Sequence, residues 1–151
     1  MLRDTATQNQ ILKQDSNGLL QFYDVSRSRW LSVTRYNICF GLDHNNIEAD
    51  RWFNMTGTVG SNTSGYRVPR DCIITCITVQ AQNDADCVIV VRKNDNTSTI
   101  TSITLLSETG KTLDDLDVEL DADDWVQLFL QITSGNVDYP EVTIELAWRD
   151  S

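Results

Sequence analysis

Alternation of apolar and polar residues dominates the chain, and it reads as β-strand almost throughout. Along Trp125–Ile132 the residues Val126, Leu128, Leu130 and Ile132 face one way, and Trp125, Gln127, Phe129 and Gln131 the other. Val142, Ile144, Leu146 and Trp148 alternate with Thr143, Glu145 and Ala147 in the same way. Trp30–Phe40 and Cys72–Ala81 are rich in β-branched and aromatic residues, and Cys87–Arg92 reads as a buried core strand. Gly18–Tyr23, Ile100–Leu106 and Leu116–Leu120 complete eight predicted strands. Turn-forming residues separate them at Asn83-Asp84, Asn94–Asn96, Glu108–Lys111, Asp121–Asp124 and Ser134–Asn136. A sustained helical stripe is absent, and only Glu108–Leu113 has the pattern of a helical turn. Short strands at this spacing predict an all-β fold, an antiparallel β-sandwich of jelly-roll type spanning residues 18–151.

Two segments stand outside that pattern. Residues 1–17 are polar and predict an extended N-terminal arm, with Ile11 and Leu12 as its docking points. Residues 41–66 are rich in Asn, Gly, Ser and Thr, with Trp52 and Phe53 in their middle, and predict a long loop pinned by those aromatics.

The 151 residues form one domain large enough for a core of its own. Twelve basic residues against 22 acidic ones give a net charge of −10, which argues against nucleic acid and against anionic membrane as partners. Apolar runs fall well short of the roughly 18 residues of a membrane-spanning helix, and the start MLRDTATQNQ has no secretory signal pattern. The charge is uneven. Residues 101–151 hold twelve acidic and two basic groups, the whole of the net excess, which predicts a negative field at one region.

Catalytic chemistry finds little support, and no enzyme is expected. A single histidine excludes a His-rich metal site. Cys39 and His44 are close in sequence with Asp43 between, yet nothing in the spacing forces the contact that a nucleophile and base require. The nucleophile-elbow pattern and phosphate-binding glycine loops are absent. Cys39, Cys72, Cys76 and Cys87 read as thiols packed in the core. Cys72 and Cys76 belong to one face of one strand, roughly 13 Å apart at about 3.3 Å per residue, too far for a disulfide. Asp121, Asp123 and Asp124 are weak candidates for a calcium site, and with Asp114, Asp115 and Asp117 they are explained as well by turn chemistry. No cofactor is expected. Trp125 and Phe129 lie on the strand face opposite the predicted core, so a second buried surface is expected there, most simply an interface between copies.

Three stretches carry a family resemblance. Ser61–Asp71 (SNTSGYRVPRD), running into the strand CIITCITVQA, resembles a pattern of tailed-bacteriophage virion surface proteins, in which a Gly–Tyr segment and a Pro–Arg turn feed the first core strand. Val142–Arg149 is similar to the closing strand of such domains, and Gly18–Val33 to their lead-in. The architecture resembles the tumour-necrosis-factor and C1q-like jelly roll, which implies a homotrimer. The resemblance implies a virion structural protein, foremost a capsid decoration or cement protein bound to the major capsid protein or other virion proteins. Its alternative is a short tail fibre or tip domain that recognises a host surface glycan or protein. A fibre shaft is not encoded in these residues, because no coiled-coil or collagen-like run precedes the domain.

Overall fold

The computed structural model describes residues 12–55, 61 and 63–149. Eleven strands follow in order: β1 (Leu12–Gln14), β2 (Leu20–Asp24), β3 (Arg29–Gly41), β4 (Arg51–Trp52), β5 (Asn54–Met55), β6 (Tyr66–Arg67), β7 (Cys72–Lys93), β8 (Thr99–Leu113), β9 (Val118–Leu120), β10 (Trp125–Ser134) and β11 (Glu141–Arg149). No helix occurs among the described residues, so the helical turn expected at Glu108–Leu113 is strand. All pairings are antiparallel, in the order β1-β2-β3-β11-β7-β10-β4, with β5 on β3, β6 on β10, and β8 and β9 on β7. The sheet curls into a half-barrel around one core.

That curl comes from β7, which serves two halves of the sheet. Its residues 72–80 pair with β11, and its residues 86–93 pair with β10. The sequence pattern predicted two strands here, with a turn at Asn83-Asp84, but the chain runs through as 22 continuous residues. Asn83 is occupied otherwise: its amide donates to the Asn136 carbonyl at 2.9 Å and accepts from the Asp138 N–H at 2.8 Å. The expected turn at Glu108–Lys111 is likewise a bend inside β8. Ser107 is the extra residue of a bulge, with φ 53°, and its N–H is bonded by the Asp86 carboxylate at 2.8 Å. The two irregularities face each other, so both long strands bend at the same level.

The inner faces are closed by aliphatic side chains. Ile74, Ile77, Val79, Cys87, Ile89 and Val91 of β7 meet Val126, Leu128 and Leu130 of β10 and Val142, Ile144 and Leu146 of β11. Leu31, Ile73 and Ala147 form a second, small cluster, with Phe22 against it. A bulge at Thr75 reverses the alternation within β7, because Cys76 and Ile74 pair with adjacent residues of β11. Cys72 is therefore buried in the core, while Cys76 is part-exposed and lies 3.9 Å from the Thr78 hydroxyl. The expectation of one shared face for these cysteines fails at that bulge. Cys39 is exposed, not packed in the core. Burial pushes the Cys72 thiol up to about 12 and the Cys87 thiol to about 11, which keeps both protonated and unreactive.

Part of the stretch expected as an arm over residues 1–17 is strand. Leu12, Lys13 and Gln14 are β1, paired with Phe22, Gln21 and Leu20, and the Asp15 carboxylate closes the turn by accepting the Leu19 N–H at 2.7 Å. Ile11 and the residues before it lie outside the described residues. Within the expected loop at 41–66, Ile47 bridges to Val137, and Ile47 and Phe53 are buried in the core.

Candidate functional site

The outer face of the β4–β10–β7–β8 half holds both aromatics that the sequence singled out. Core packing claims one side of these strands, so Trp125, Gln127 and Phe129 of β10 and Val88, Val90 and Arg92 of β7 are left on the other. Register places Trp52, Phe129, Val90 and Ser102 in one row across four strands. The Trp52 and Phe129 rings meet at 4.7 Å between centroids, and the Arg92 guanidinium lies 5.1 Å from the Trp52 ring and 4.6 Å from the Phe129 ring. Three groups thus share one cation–π and ring-stacking cluster, with Val90 only 6% exposed beside it.

Beneath the cluster, Gln127 is 2% exposed and donates to the Asp95 carbonyl at 2.5 Å. Its amide oxygen accepts no hydrogen bond from the described residues. Asp95 organises the loop that covers it. Its carboxylate accepts from the Thr97 N–H at 2.6 Å, the Ser98 N–H at 2.5 Å and both hydroxyls. Those bonds, with Ser98 foremost, hold its pKa far below the ordinary carboxylate range.

Trp125 stands apart from Phe129. It pairs with Arg67 of β6, and its N–H donates to the Asn94 side-chain oxygen at 2.8 Å. Gly65 lies against it. A Cβ there would sit 3.1 Å from the Trp125 ring and 2.8 Å from the Val126 carbonyl carbon, so only glycine lets this segment close on β10. Both rings are thus half covered by their own chain, Trp125 by the Gly65 segment and Phe129 by Trp52.

The acidic region is not a bare negative pole. Asp124 accepts from Lys93 Nζ at 2.9 Å, the Asn94 amide at 2.6 Å and the Asp121 N–H at 2.9 Å. Burial opposes its ionisation, yet these bonds and the Lys93 charge outweigh it and leave the pKa lowered. Asp121 pairs with Arg149 at 2.5 Å, and Asp123, at φ 73°, lies 3.6 Å from Arg67. Arg27 joins Asp24 at 2.6 Å and Asp115 at 3.4 Å, and Arg29 joins Asp117 at 3.3 Å and Glu119 closer still. Asp115, Asp117, Glu119, Asp123 and Asp124 of the last third thus meet cations of the first two thirds, pairings that sequence distance hides. Asp121, Asp123 and Asp124 turn to three different cations, and the described residues contain no cluster of three or more metal-ligating side chains.

A groove of about 780 Å³ lies in the other half of the sheet. Register aligns Asn54, Gly41, Glu141, Gln80 and Gly110 across β5, β3, β11, β7 and β8, with the missing side chain at Gly41 lowering the floor. Cys39, Thr143, Asp43, Gln82 and Tyr139 complete its polar walls. Cys39 Sγ lies 3.7 Å from the Thr143 hydroxyl, and no hydrogen bond joins it to His44 among the described residues. The His44 carbonyl instead accepts the Tyr139 N–H at 2.9 Å.

The sequence pattern identified Trp125 and Phe129 but missed Trp52 and Arg92 as the partners of Phe129, and missed the groove. Arg92, closing an apolar strand that faces inward and outward alternately, was the legible sign of an outer face with aromatic company. No protein-family model and no curated protein matches this chain.

Proposed function

We propose that the chain is a structural protein of a tailed-bacteriophage virion, a homotrimeric decoration or cement protein that sits on the head surface. In this reading the curled sheet is a jelly-roll-like β-sandwich whose two layers are the halves served by β7. The observation that carries it is the row Trp52–Phe129–Val90 with Arg92 across it, on the outside of a chain whose core is already filled. Aromatic side chains and arginine are the residues enriched where protein surfaces bury each other. The resemblance supports the same reading through residues 64–72. Tyr66 and Arg67 form β6, Val68 is buried, and Pro69-Arg70 bend the chain into β7.

The charge arrangement supports it too. A cover over capsid seams must stay soluble before assembly, and a net charge of −10 spread among ion pairs keeps it so without a single repelling pole. Counting copies per particle by quantitative mass spectrometry tests the proposal. Hundreds of copies, with binding of the free protein to emptied mature heads, are expected. A few copies per particle and adsorption to host cells would replace it with a tail-tip receptor binder.

A further inference from the structure

We infer that the groove over Gly41 is a saccharide-binding site, selective for uncharged sugars. It lies away from the aromatic row, and it stands or falls independently of where the chain sits in a particle. Its volume of about 780 Å³ lies in the range of small-ligand sites, about 300–1,000 Å³.

The wall chemistry selects the ligand class. No Lys or Arg side chain lines the groove, while Asp43 and Glu141 both do. Phosphates, nucleotides and acidic sugars are therefore repelled. The side chains of Asp43, Gln82, Tyr139 and Glu141 are exposed and make no hydrogen bond or ion pair among the described residues, which leaves acceptors and donors for a ligand. Carboxylates and planar amides suit adjacent hydroxyl groups, because each offers two acceptors, or a donor and an acceptor, at hydroxyl spacing. Charge-assisted bonds of this kind are the stronger ones.

Tyr139 supplies the apolar contact. Its side chain is 37% exposed on the groove wall, and its backbone has φ 45°, where a bulky residue is strained. The surroundings hold it there. Its N–H is bonded to the His44 carbonyl at 2.9 Å, and the carbonyl of the next residue, Pro140, accepts the Leu42 N–H at 3.1 Å. The ring is thus presented on a pinned backbone, which lowers the ordering cost of a contact. A pyranose offers a C–H face to an aromatic ring and hydroxyls at its rim, which suits a groove lined by one ring together with Asp43, Gln82 and Glu141.

The test is an NMR titration of the full chain with the methyl β-glycosides of glucose, galactose and N-acetylglucosamine, with sialyllactose as the acidic arm. At least one neutral glycoside is expected to shift the amide resonances of Gly41, Asn54 and Glu141, and to bind at least about tenfold more tightly than sialyllactose. Tyr139→Ala is expected to weaken binding about tenfold and Glu141→Gln about fivefold. Tyr139→Phe, which keeps the ring, should retain most of it. If Tyr139→Ala fails to fold, Glu141→Gln and Tyr139→Phe decide. Silence of the groove resonances at tens of millimolar of every neutral glycoside overturns the inference. So does tighter binding of sialyllactose, shifts confined to another surface, or wild-type affinity in Glu141→Gln or in a folded Tyr139→Ala.

Discussion

The two halves of β7 share one inner face and differ on the outer one. Inside, Ile77 and Ile89 have equivalent places, both fully buried in the same core. Outside, the first half presents Thr78, hydrogen-bonded to Thr112 at 3.1 Å, with part-exposed Cys76 and the Glu145 carboxylate alongside. The second half presents Val88, Val90 and Arg92 beneath Phe129 and Trp52. From Ile77 onward a single strand thus passes from a wettable outer surface to an apolar one with no change in its inner pattern. Folding alone requires only the inner pattern, so the outer contrast is where a role beyond folding is written.

The largest effects should ignore that contrast. Ile77→Ala and Ile89→Ala are each expected to cost about 3–4 kcal/mol in chemical denaturation, with similar values because both empty the same core. A difference of several-fold would show that the two halves are stabilised separately. Gly65→Ala comes next, at about 2–3 kcal/mol, because its Cβ collides with the Val126 backbone and lifts β6 off β10. Near-UV circular dichroism should report the loss through Trp125.

Substitutions on the outer face should separate the halves. Phe129→Ala is expected to lower stability by about 1–2 kcal/mol, because Trp52 and Arg92 lose the ring between them. Thr78→Ala should stay within about 0.5 kcal/mol. Equal costs for the pair would remove the basis for treating the second half as distinct.

Acid effects are smaller and sample both halves. Asp24 belongs to the first half, and Asp124 packs on the second. Burial opposes ionisation of Asp24, but the bonds from Ser26 and Arg27 prevail, so its pKa is lowered from the ordinary 3.8, as is that of Asp124. A lowered folded-state pKa means that the unfolded chain binds more protons in that window. The stabilisation is complete above pH 3.8 and is lost as pH falls through the folded-state values. Melting curves should therefore drop below about pH 4, and Asp24→Asn or Asp124→Asn should each flatten part of that drop. The smallest expected effect concerns metal. Sodium chloride and calcium chloride of matched ionic strength should shift the melting temperature equally, to within about 1 °C. A larger calcium shift, abolished by Asp121→Asn with Asp123→Asn, would reveal a cation site that the ion pairs do not suggest.

Much of the fold was legible because period-two alternation states which side of a strand is buried. Each of the eight predicted segments contains strand, two of them as parts of the single β7, and Val126, Leu128, Leu130, Ile144 and Leu146 point inward as the alternation requires. The errors have one physical source. Asn83, Asp84 and Glu108–Gly110 carry turn chemistry, and the molecule uses it to bend two long strands instead of ending them. The bulge at Thr75 belongs to the same class, since one added residue reverses every side chain beyond it and sends Cys76 outward. Pairings across the sheet were illegible for another reason. Arg29 reaches Glu119 and Arg149 reaches Asp121 only after β3, β9 and β11 have assembled, so charge counted along the chain does not show which carboxylates are paired. The groove escaped notice because its walls come from four separate segments whose residues are ordinary in each.

The proposed trimer would bury the aromatic outer face of the second half between copies of the chain. Multi-angle light scattering of the purified protein at micromolar concentration tests it most directly, run beside Phe129→Glu and a Thr78→Glu control. The account predicts a mass near three times the 17.1 kDa chain for the wild type and for Thr78→Glu, and dissociation of Phe129→Glu with its circular dichroism spectrum retained. A clean 17.1 kDa monomer for the wild type, or a trimer that survives Phe129→Glu, would contradict it.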